Sequence, residues 1–302
     1  MKKVLITGSN GQLGKALNKN KYELIKNQDI EVFNTTKADL DIGDESSCTR
    51  VIERYKPDWV INCGAFTAVD RAEVESEDAY KINSYGPYFL AKILKKTGGK
   101  LIHISTDFVF DGKSNKAYEV SDPVNPINNY GKTKALGEHF LMKKENNFKN
   151  IFIIRSSWII DNKGNNFFLK ILKLISKEEN LKVVNDQIGC ITNVNNLSKI
   201  CWKLIINQKD QSEKPIIFHF SDSGICTWYD VAIAISELAY KKRIILKKPE
   251  IIPVDSNFYN SPAKRPNFSL LNCEKTYKFF KFHPPHWRET INNLLDSLSD
   301  DF

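Results

Sequence analysis

An α/β fold built on a doubly wound parallel sheet, with a smaller C-terminal lobe, is what this 302-residue sequence predicts. Three observations carry that prediction. Over residues 1–155, short apolar runs bounded by polar turns alternate with helical patterns, as in a parallel sheet with right-handed crossovers. The first apolar run passes straight into a glycine-spaced turn that opens a helix. Beyond Arg155 the alternation fades, which suits a lobe inserted around later returns to the sheet. A chain that is 41% hydrophobic and 26% charged can bury one large core or two smaller ones.

Residues 3–7 read as a buried strand, followed by Gly8-Ser9-Asn10-Gly11-Gln12-Leu13-Gly14. Glycines at 8, 11 and 14 permit a tight turn, close approach of backbone to a pyrophosphate, and close packing of helix on strand. The phosphates would lie at the positive end of the helix. Gly8, Asn10, Gly11, Gln12, Leu13 and Gly14 are therefore candidates to hold a dinucleotide in a Rossmann-type unit. A second strand over residues 30–33 leads into the segment 34–41. An acidic residue just after that strand grips the ribose hydroxyls of NAD, whereas small polar and basic residues accommodate an extra phosphate. Thr35, Thr36 and Lys37 lean toward NADPH, with NADH the alternative, although Lys37 alone reads almost as well as an exposed loop lysine. Asp39 and Leu40 are candidates to flank the adenine.

A helix over 45–55 connects to a third strand, 58–63, and ligands of such sheets bind beyond the carboxyl ends of the strands. Cys63, Gly64, Ala65 and Thr67 are thus placed beside the cofactor. Helical periodicity then runs over 72–96 and carries Asn83, which reads as a helix-surface amide, an anchor for backbone near the site being the alternative. A fourth strand, 101–105, holds His103 mid-strand as a core histidine and ends at Thr106, whose hydroxyl can reach a substrate carbonyl oxygen.

Tyr130-Gly131-Lys132-Thr133-Lys134 is the chemical centre of the reading. Four residues apart on a helix, the phenol and the ammonium point the same way. A cation beside a phenol lowers its pKa and makes it a better proton donor. The bare spacing is weak, because it recurs at Tyr22/Lys26, Tyr88/Lys92 and Tyr277/Lys281. Those tyrosines follow no strand ending like Ser105-Thr106-Asp107, and they read as ordinary helix-face or surface residues.

Further on, residues 151–155 form a strand, while a helix over 195–206 and a strand over 216–220 are core elements near 193–220. A dinucleotide-binding domain over 1–155 with those returns, and a mainly substrate-binding lobe over 156–302, is the resulting division. Trp158 and Trp228 can stack on a base or a sugar, or simply pack. Lys241-Lys242-Arg243 reads as a solvated helix end, and Arg265 lies in a proline-bounded loop where a guanidinium can bind diphosphate in bidentate fashion.

The formal charge of +8 is spread over scattered lysines with no dense basic block, so a nucleic-acid groove is not expected, while a charged small molecule is. The six cysteines form no Cys-x-x-Cys pair and do not cluster with histidine, so no metal site or disulfide framework is expected. The opening apolar run is too short for a secretory signal and no later stretch has membrane-spanning length. A cytoplasmic protein with no membrane association is expected.

Gly8 to Gly14, Thr67-Ala-Val-Asp-Arg-Ala-Glu73, Ser105-Thr-Asp-Phe-Val-Phe-Asp-Gly112 and Tyr130 to Lys134 stand in an order that resembles the extended short-chain dehydrogenase/reductase superfamily. Within it they resemble the dTDP-4-dehydrorhamnose reductases. The likeness continues through Arg155-Ser-Ser-Trp158, Asn166-Phe167, Asp186-Gln-Ile-Gly189, Trp228-Tyr-Asp230, and Arg265-Pro266 followed by Ser269, so it spans nearly the whole chain.

The resemblance implies reduction of a nucleotide-linked 4-keto-6-deoxy sugar with Thr106, Tyr130 and Lys134 catalytic. It further implies that Thr67, Val69, Thr106, Asp107, Phe108, Tyr130, Trp158 and Arg265 meet the substrate, that NADPH or NADH binds along the early glycines, Tyr130 and Lys134, and that the chain pairs as a homodimer. Three departures stand out: Phe66 and Phe108 occupy usual tyrosine positions, and Ile191 replaces a proline. Phe108 withholds a sugar contact, Ile191 bears on loop rigidity, and none of the three touches the triad. Two alternatives remain open at this point. One is an epimerase/reductase acting on a UDP-linked sugar. The other is a non-catalytic dinucleotide-binding partner resembling the regulatory subunit of methionine adenosyltransferase.

Overall fold

The computed structural model describes residues 1–207 and 213–298. In β1 (Lys2–Thr7), Val4, Leu5 and Ile6 are wholly buried, as an interior parallel strand covered on both faces requires. α1 (Gln12–Ile25), β2 (Ile30–Asn34), α2 (Glu45–Tyr55) and β3 (Trp59–Asn62) follow. α2 begins where the Asp44 carboxylate accepts from the Ser46 N–H, and stops where Lys56 turns left-handed at φ 45°.

The stretch expected as one helical run over 72–96 is helical but interrupted. A 3-10 turn (Arg71–Glu73), α3 (Ser76–Tyr80), a π turn (Lys81–Tyr85) and α4 (Gly86–Thr97) divide it. Pro87 accounts for the widening, since it has no N–H to give the carbonyl four residues earlier. Asn83, expected on the helix surface, is instead buried in that π turn. Its side chain accepts from Phe66 N at 2.8 Å and donates to Phe66 O and Thr133 Oγ1, each at 3.0 Å. The wider turn points the amide inward, so the alternative reading as a backbone anchor is the correct one.

β4 (Lys100–Thr106), α5 (Asn129–Met142) and β5 (Ile151–Ser156) continue the alternation. Beyond them lie β6 (Ile159–Ile160), α6 (Phe167–Ile175), β7 (Asn180–Val184), β8 (Ile188–Gly189), β9 (Thr192–Asn193) and α7 (Val194–Asn207). β10 (Ile216–Phe220), β11 (Cys226–Thr227), α8 (Trp228–Lys241), β12 (Glu250–Val254), α9 (Glu274–Phe280) and α10 (Trp287–Asp296) complete the described chain.

The main sheet has six strands in the order β10-β5-β4-β3-β1-β2, every neighbouring pair parallel. Alternate residues of β1 face opposite layers. Val4 and Ile6 pack under α1 and α7 with Leu17 and Trp202, while Leu5 packs under α2 and α4 with Ile52 and Leu90. The chain direction across the sheet reverses between β1 and β3, so the loops after these strands flank a cleft at their carboxyl ends. A separate core, with Phe168, Ile235, Ile291 and Leu295, joins α6, α8 and α10 against β7 and β12.

Asp222 ties that core to the sheet side. Its carboxylate accepts from Thr290 Oγ1 at 2.6 Å, Asn196 Nδ2 at 3.0 Å and Asn193 N at 3.2 Å. Burial pushes its pKa up to about 6 against these hydrogen bonds. Of the other Tyr-x-x-x-Lys tyrosines, Tyr88 packs among Phe89, Phe140 and Phe148. Tyr277 is anchored rather than superficial, its hydroxyl donating to Ser221 O at 2.9 Å. The side chain of Tyr22 lies outside the described residues. Among the described residues, no helix is long and apolar enough to cross a membrane, and no group of three or more His, Cys, Asp or Glu could hold a metal.

Candidate active site

A cavity of about 650 Å³ runs from the glycine turn after β1, past the ends of β3 and β4, to the inner edge of the C-terminal core. Gly8 and Gly14 make its floor possible. Gly8 sits at φ +58°, and a Cβ there would lie 2.9 Å from Gly64 N; a Cβ on Gly14 would lie 2.5 Å from Ser9 Cα. Thr7 Oγ1 donates to Asn62 Oδ1 at 2.7 Å and accepts from Gly64 N at 3.1 Å, holding the two loops side by side. Asn62 Nδ2 meets His103 Nδ1 at 3.2 Å. His103 is buried, and burial, with help from the Lys134 charge, holds its pKa well below the usual histidine range. It is a core histidine, as expected.

Gly8, Asn10, Gly11, Gln12, Leu13, Gly14, Lys37, Leu40, Cys63, Gly64, Ala65 and Thr67 all line the cavity. Asp39, expected beside the adenine, is not part of the cavity wall. Its carboxylate turns back to accept from Thr36 N and Thr36 Oγ1, both at 2.8 Å, and these bonds lower its pKa. Thr35 is likewise committed, donating to Ile6 O at 3.0 Å. The wall there belongs to Asp41 and Ile42, which sequence reasoning missed because the local Thr36/Asp39 turn carries the chain past the expected position. Of the three residues read as leaning toward an extra phosphate, Lys37 keeps its side chain available to the cavity.

Thr106, Tyr130 and Lys134 come together at the end of β4 and the first turns of α5. Asn128 caps α5, accepting from Gly131 N at 2.7 Å and fixing where Tyr130 emerges. Thr106 Oγ1 donates to Asp107 Oδ1 at 3.0 Å and accepts from Phe108 N at 3.2 Å. The Lys134 ammonium donates to Ile104 O at 2.6 Å.

One expectation fails here. The Tyr130 phenol is pushed up to about 12, by burial first and by the Asp107 charge, with the Thr106 hydrogen bond working the other way. Lys134 was expected to lower it, but its ammonium is turned onto the Ile104 carbonyl, and burial lowers Lys134 itself to about 8 while the Glu138 charge supports it. The phenol therefore keeps its proton and Lys134 stands near its own titration.

Val69, Asp107, Phe108, Trp158 and Arg265 line the same cavity, as Thr67 does. Asp107 is buried with its Oδ2 unpartnered, and burial pushes its pKa up to about 6. Phe108 meets Tyr130 edge-on, ring centroids 5.8 Å apart. Trp158 adopts φ +47° and stacks on Trp228 at 3.8 Å, both rings on the cavity wall. Gly189 leaves room for that stack, since a Cβ there would lie 3.0 Å from the Trp158 ring. Ile191, in the place of a proline, is wholly buried and accepts from Asp222 N at 2.9 Å, so packing holds the loop instead.

Arg265 is paired within the protein: it reaches Asp70 at 2.8 Å and Ala263 O at 3.1 Å. A diphosphate would share its guanidinium with that carboxylate. Gln187 and Asn165 also line the cavity. Gln187 lies in the Asp186 to Gly189 motif, whose sequence signal was visible without pointing to a side chain.

The chain matches the family model described as RmlD substrate binding domain over residues 1–299. It is 38% identical to the spore coat polysaccharide biosynthesis protein SpsK of Bacillus subtilis, covering 99% of each chain. It is 35% identical to a dTDP-4-dehydrorhamnose reductase of Aggregatibacter actinomycetemcomitans, covering 97% of this chain and 98% of that one. The crystal structure of a dTDP-4-dehydrorhamnose reductase from Bacillus anthracis in complex with NADP superposes with a TM-score of 0.86 at 32% identity, over 98% of this chain and all of the other. A match of that length, together with the glycine turn and the Thr106, Tyr130, Lys134 cluster on one cavity, places the chain in the RmlD substrate binding domain family.

Proposed function

We propose that this protein reduces the carbon-4 ketone of a nucleotide-linked 4-keto-6-deoxy sugar, dTDP-4-dehydro-L-rhamnose to dTDP-L-rhamnose, with NADPH. The observation that carries the reading is the convergence of Thr106, Tyr130 and Lys134 on the cavity that the glycine turn opens. A dinucleotide fits the residues present, because Gly8 and Gly14 clear the floor where side chains would stand and α1 presents its N-terminus there. When bound, NADPH supplies the hydride. Thr106 orients the ketone oxygen, Tyr130 gives it a proton, and Lys134 holds the nicotinamide ribose and offsets the charge left on the phenolate. Trp158 and Arg265 hold the sugar and the diphosphate.

Residues 1–155, with elements near 193–220, make up the dinucleotide-binding unit in this reading. The lobe over 156–302 supplies most of the substrate side, residues 208–212 and 299–302 lying outside the described residues. A cytoplasmic homodimer that engages neither nucleic acid nor membrane completes the proposal.

The test supplies the dTDP-linked ketosugar with NADPH and follows nicotinamide absorbance, beside the same assay with the UDP-linked sugar. Oxidation with dTDP-4-dehydro-L-rhamnose is expected. Oxidation with the UDP form alone would overturn the choice of nucleotide, and oxidation with neither, where NADPH is shown to bind, would favour a non-catalytic partner.

Lys37→Asp is expected to move the ratio of kcat/KM values from NADPH toward NADH. A carboxylate repels the extra phosphate and accepts from a free ribose hydroxyl. With Thr35 and Thr36 committed to internal hydrogen bonds, an unmoved ratio would mean that no side chain of residues 35–37 reads the phosphate.

A further inference from the structure

Asn166 joins the C-terminal part of the chain to the glycine turn. It caps α6, its Oδ1 accepting from Leu169 N at 3.2 Å. Its amide nitrogen donates to Gln12 Oε1 at 3.0 Å, and also to Asp161 O at 3.0 Å and Lys163 O at 3.1 Å. Two N–H groups thus serve three acceptors, two of them within the 161–166 loop and the third across the cleft. The loop comes close at Gly164, which takes φ +85°, a conformation that favours glycine, and whose Cβ, were there one, would lie 3.3 Å from Gln12 Cγ. Gln12 is the first residue of α1, directly after the N-cap Gly11, and both Gln12 and Asn165 line the cavity. A segment that packs with the substrate-side core is therefore fastened over the helix end where a dinucleotide phosphate belongs.

We infer that Asn166 is a positioning residue whose amide latches the 161–166 loop to Gln12 and slows release of the dinucleotide. The inference rests on the reading of this cavity as an NADPH site. Closing the latch costs little order, because the capping bond and the two carbonyl contacts already fix the Asn166 side chain. Its effect should appear in the rate at which cofactor leaves more than in the chemical step, since neither Asn166 nor Gln12 belongs to the Thr106, Tyr130, Lys134 group.

Asn166→Ser separates the latch from the cap: serine caps helices well but cannot span to Gln12. Gln12→Met removes the acceptor while keeping bulk. Bound NADPH is chased with excess unlabelled dinucleotide in a stopped-flow instrument, and release is followed by nicotinamide fluorescence. Each variant is expected to release NADPH about threefold to tenfold faster, the worth of one hydrogen bond, and the double variant no faster than either alone. Asn166→Ser also gives up the two loop carbonyl contacts, so its thermal midpoint is expected to fall slightly. Gln12→Met keeps them and should release NADPH faster at a wild-type midpoint, which a merely structural Asn166 would not produce. Wild-type release rates in both single variants, or effects that multiply in the double variant, would overturn the latch. Should Asn166→Ser fail to fold, Asn166→Asp, which keeps the capping oxygen and gives up the N–H donors, takes its place in the same cycle with Gln12→Met. A wild-type protein with no saturable NADPH binding would instead remove the cofactor reading, and the latch with it.

Discussion

Replacing Tyr130 with phenylalanine is expected to lower kcat by roughly 10²–10⁴, the usual worth of a positioned general acid, while NADPH binding and the thermal midpoint stay close to those of the wild type. The ring that meets Phe108 edge-on would remain, and Asn128 would still cap the helix. Only the hydroxyl beside Thr106 is lost. The pH dependence separates this acid from its neighbour. With the phenol pushed up to about 12, Tyr130 holds its proton across the working range. Lys134, lowered to about 8, is charged below that value and neutral above it, so kcat/KM of the wild type should fall as pH rises through about 8. A variant with near-normal turnover would remove Tyr130 from the mechanism, and a flat profile between pH 7 and 10 would remove the need for a charged Lys134.

The sequence disclosed most where one local rule decides the outcome. The buried run before Gly8, the helix over 45–55 and the strand over 216–220 follow from apolar period, capping and length, and the structure places them with little change. The glycine positions were legible because Gly8 and Gly14 face backbone at distances no Cβ tolerates. What stayed hidden depends on contacts made far along the chain. Asn83 points inward from a π turn that runs into Pro87, and the Asp39 carboxylate is taken up by two donors of Thr36. The direction of the Tyr130 shift could not be read from the Tyr-x-x-x-Lys spacing, since spacing says which face Lys134 shares but not that Ile104 O takes its ammonium. Arg265 was legible as a loop arginine, whereas its Asp70 partner is 195 residues away.

Arg155→Met is expected to cost about 3–5 kcal/mol of stability, a large share of the 5–15 kcal/mol typical of a folded chain. Arg155 and Glu138 are 3% and 4% exposed. The guanidinium gives Nε to both carboxylate oxygens, at 3.0 and 3.1 Å, and its other arm to Oε2 at 2.6 Å. Without it the Glu138 charge is left buried with Ser105 as its remaining close donor. Urea unfolding would measure the loss. The same change should reach the active site, because Glu138 stands one helical turn beyond Lys134 and its charge supports that ammonium. Removing the arginine leaves the carboxylate uncompensated, favours protonated Lys134, and should carry the alkaline fall of kcat/KM above about 8. The paired replacement Arg155→Met with Glu138→Leu should recover much of the stability, as apolar substitutes for buried ion pairs often do. It should also carry the alkaline fall the other way, below about 8, because burial then acts on Lys134 without a counter-charge. An alkaline limb that stays at the wild-type position in both variants would mean that Glu138 fastens Ser105 and Arg155 together without acting on Lys134.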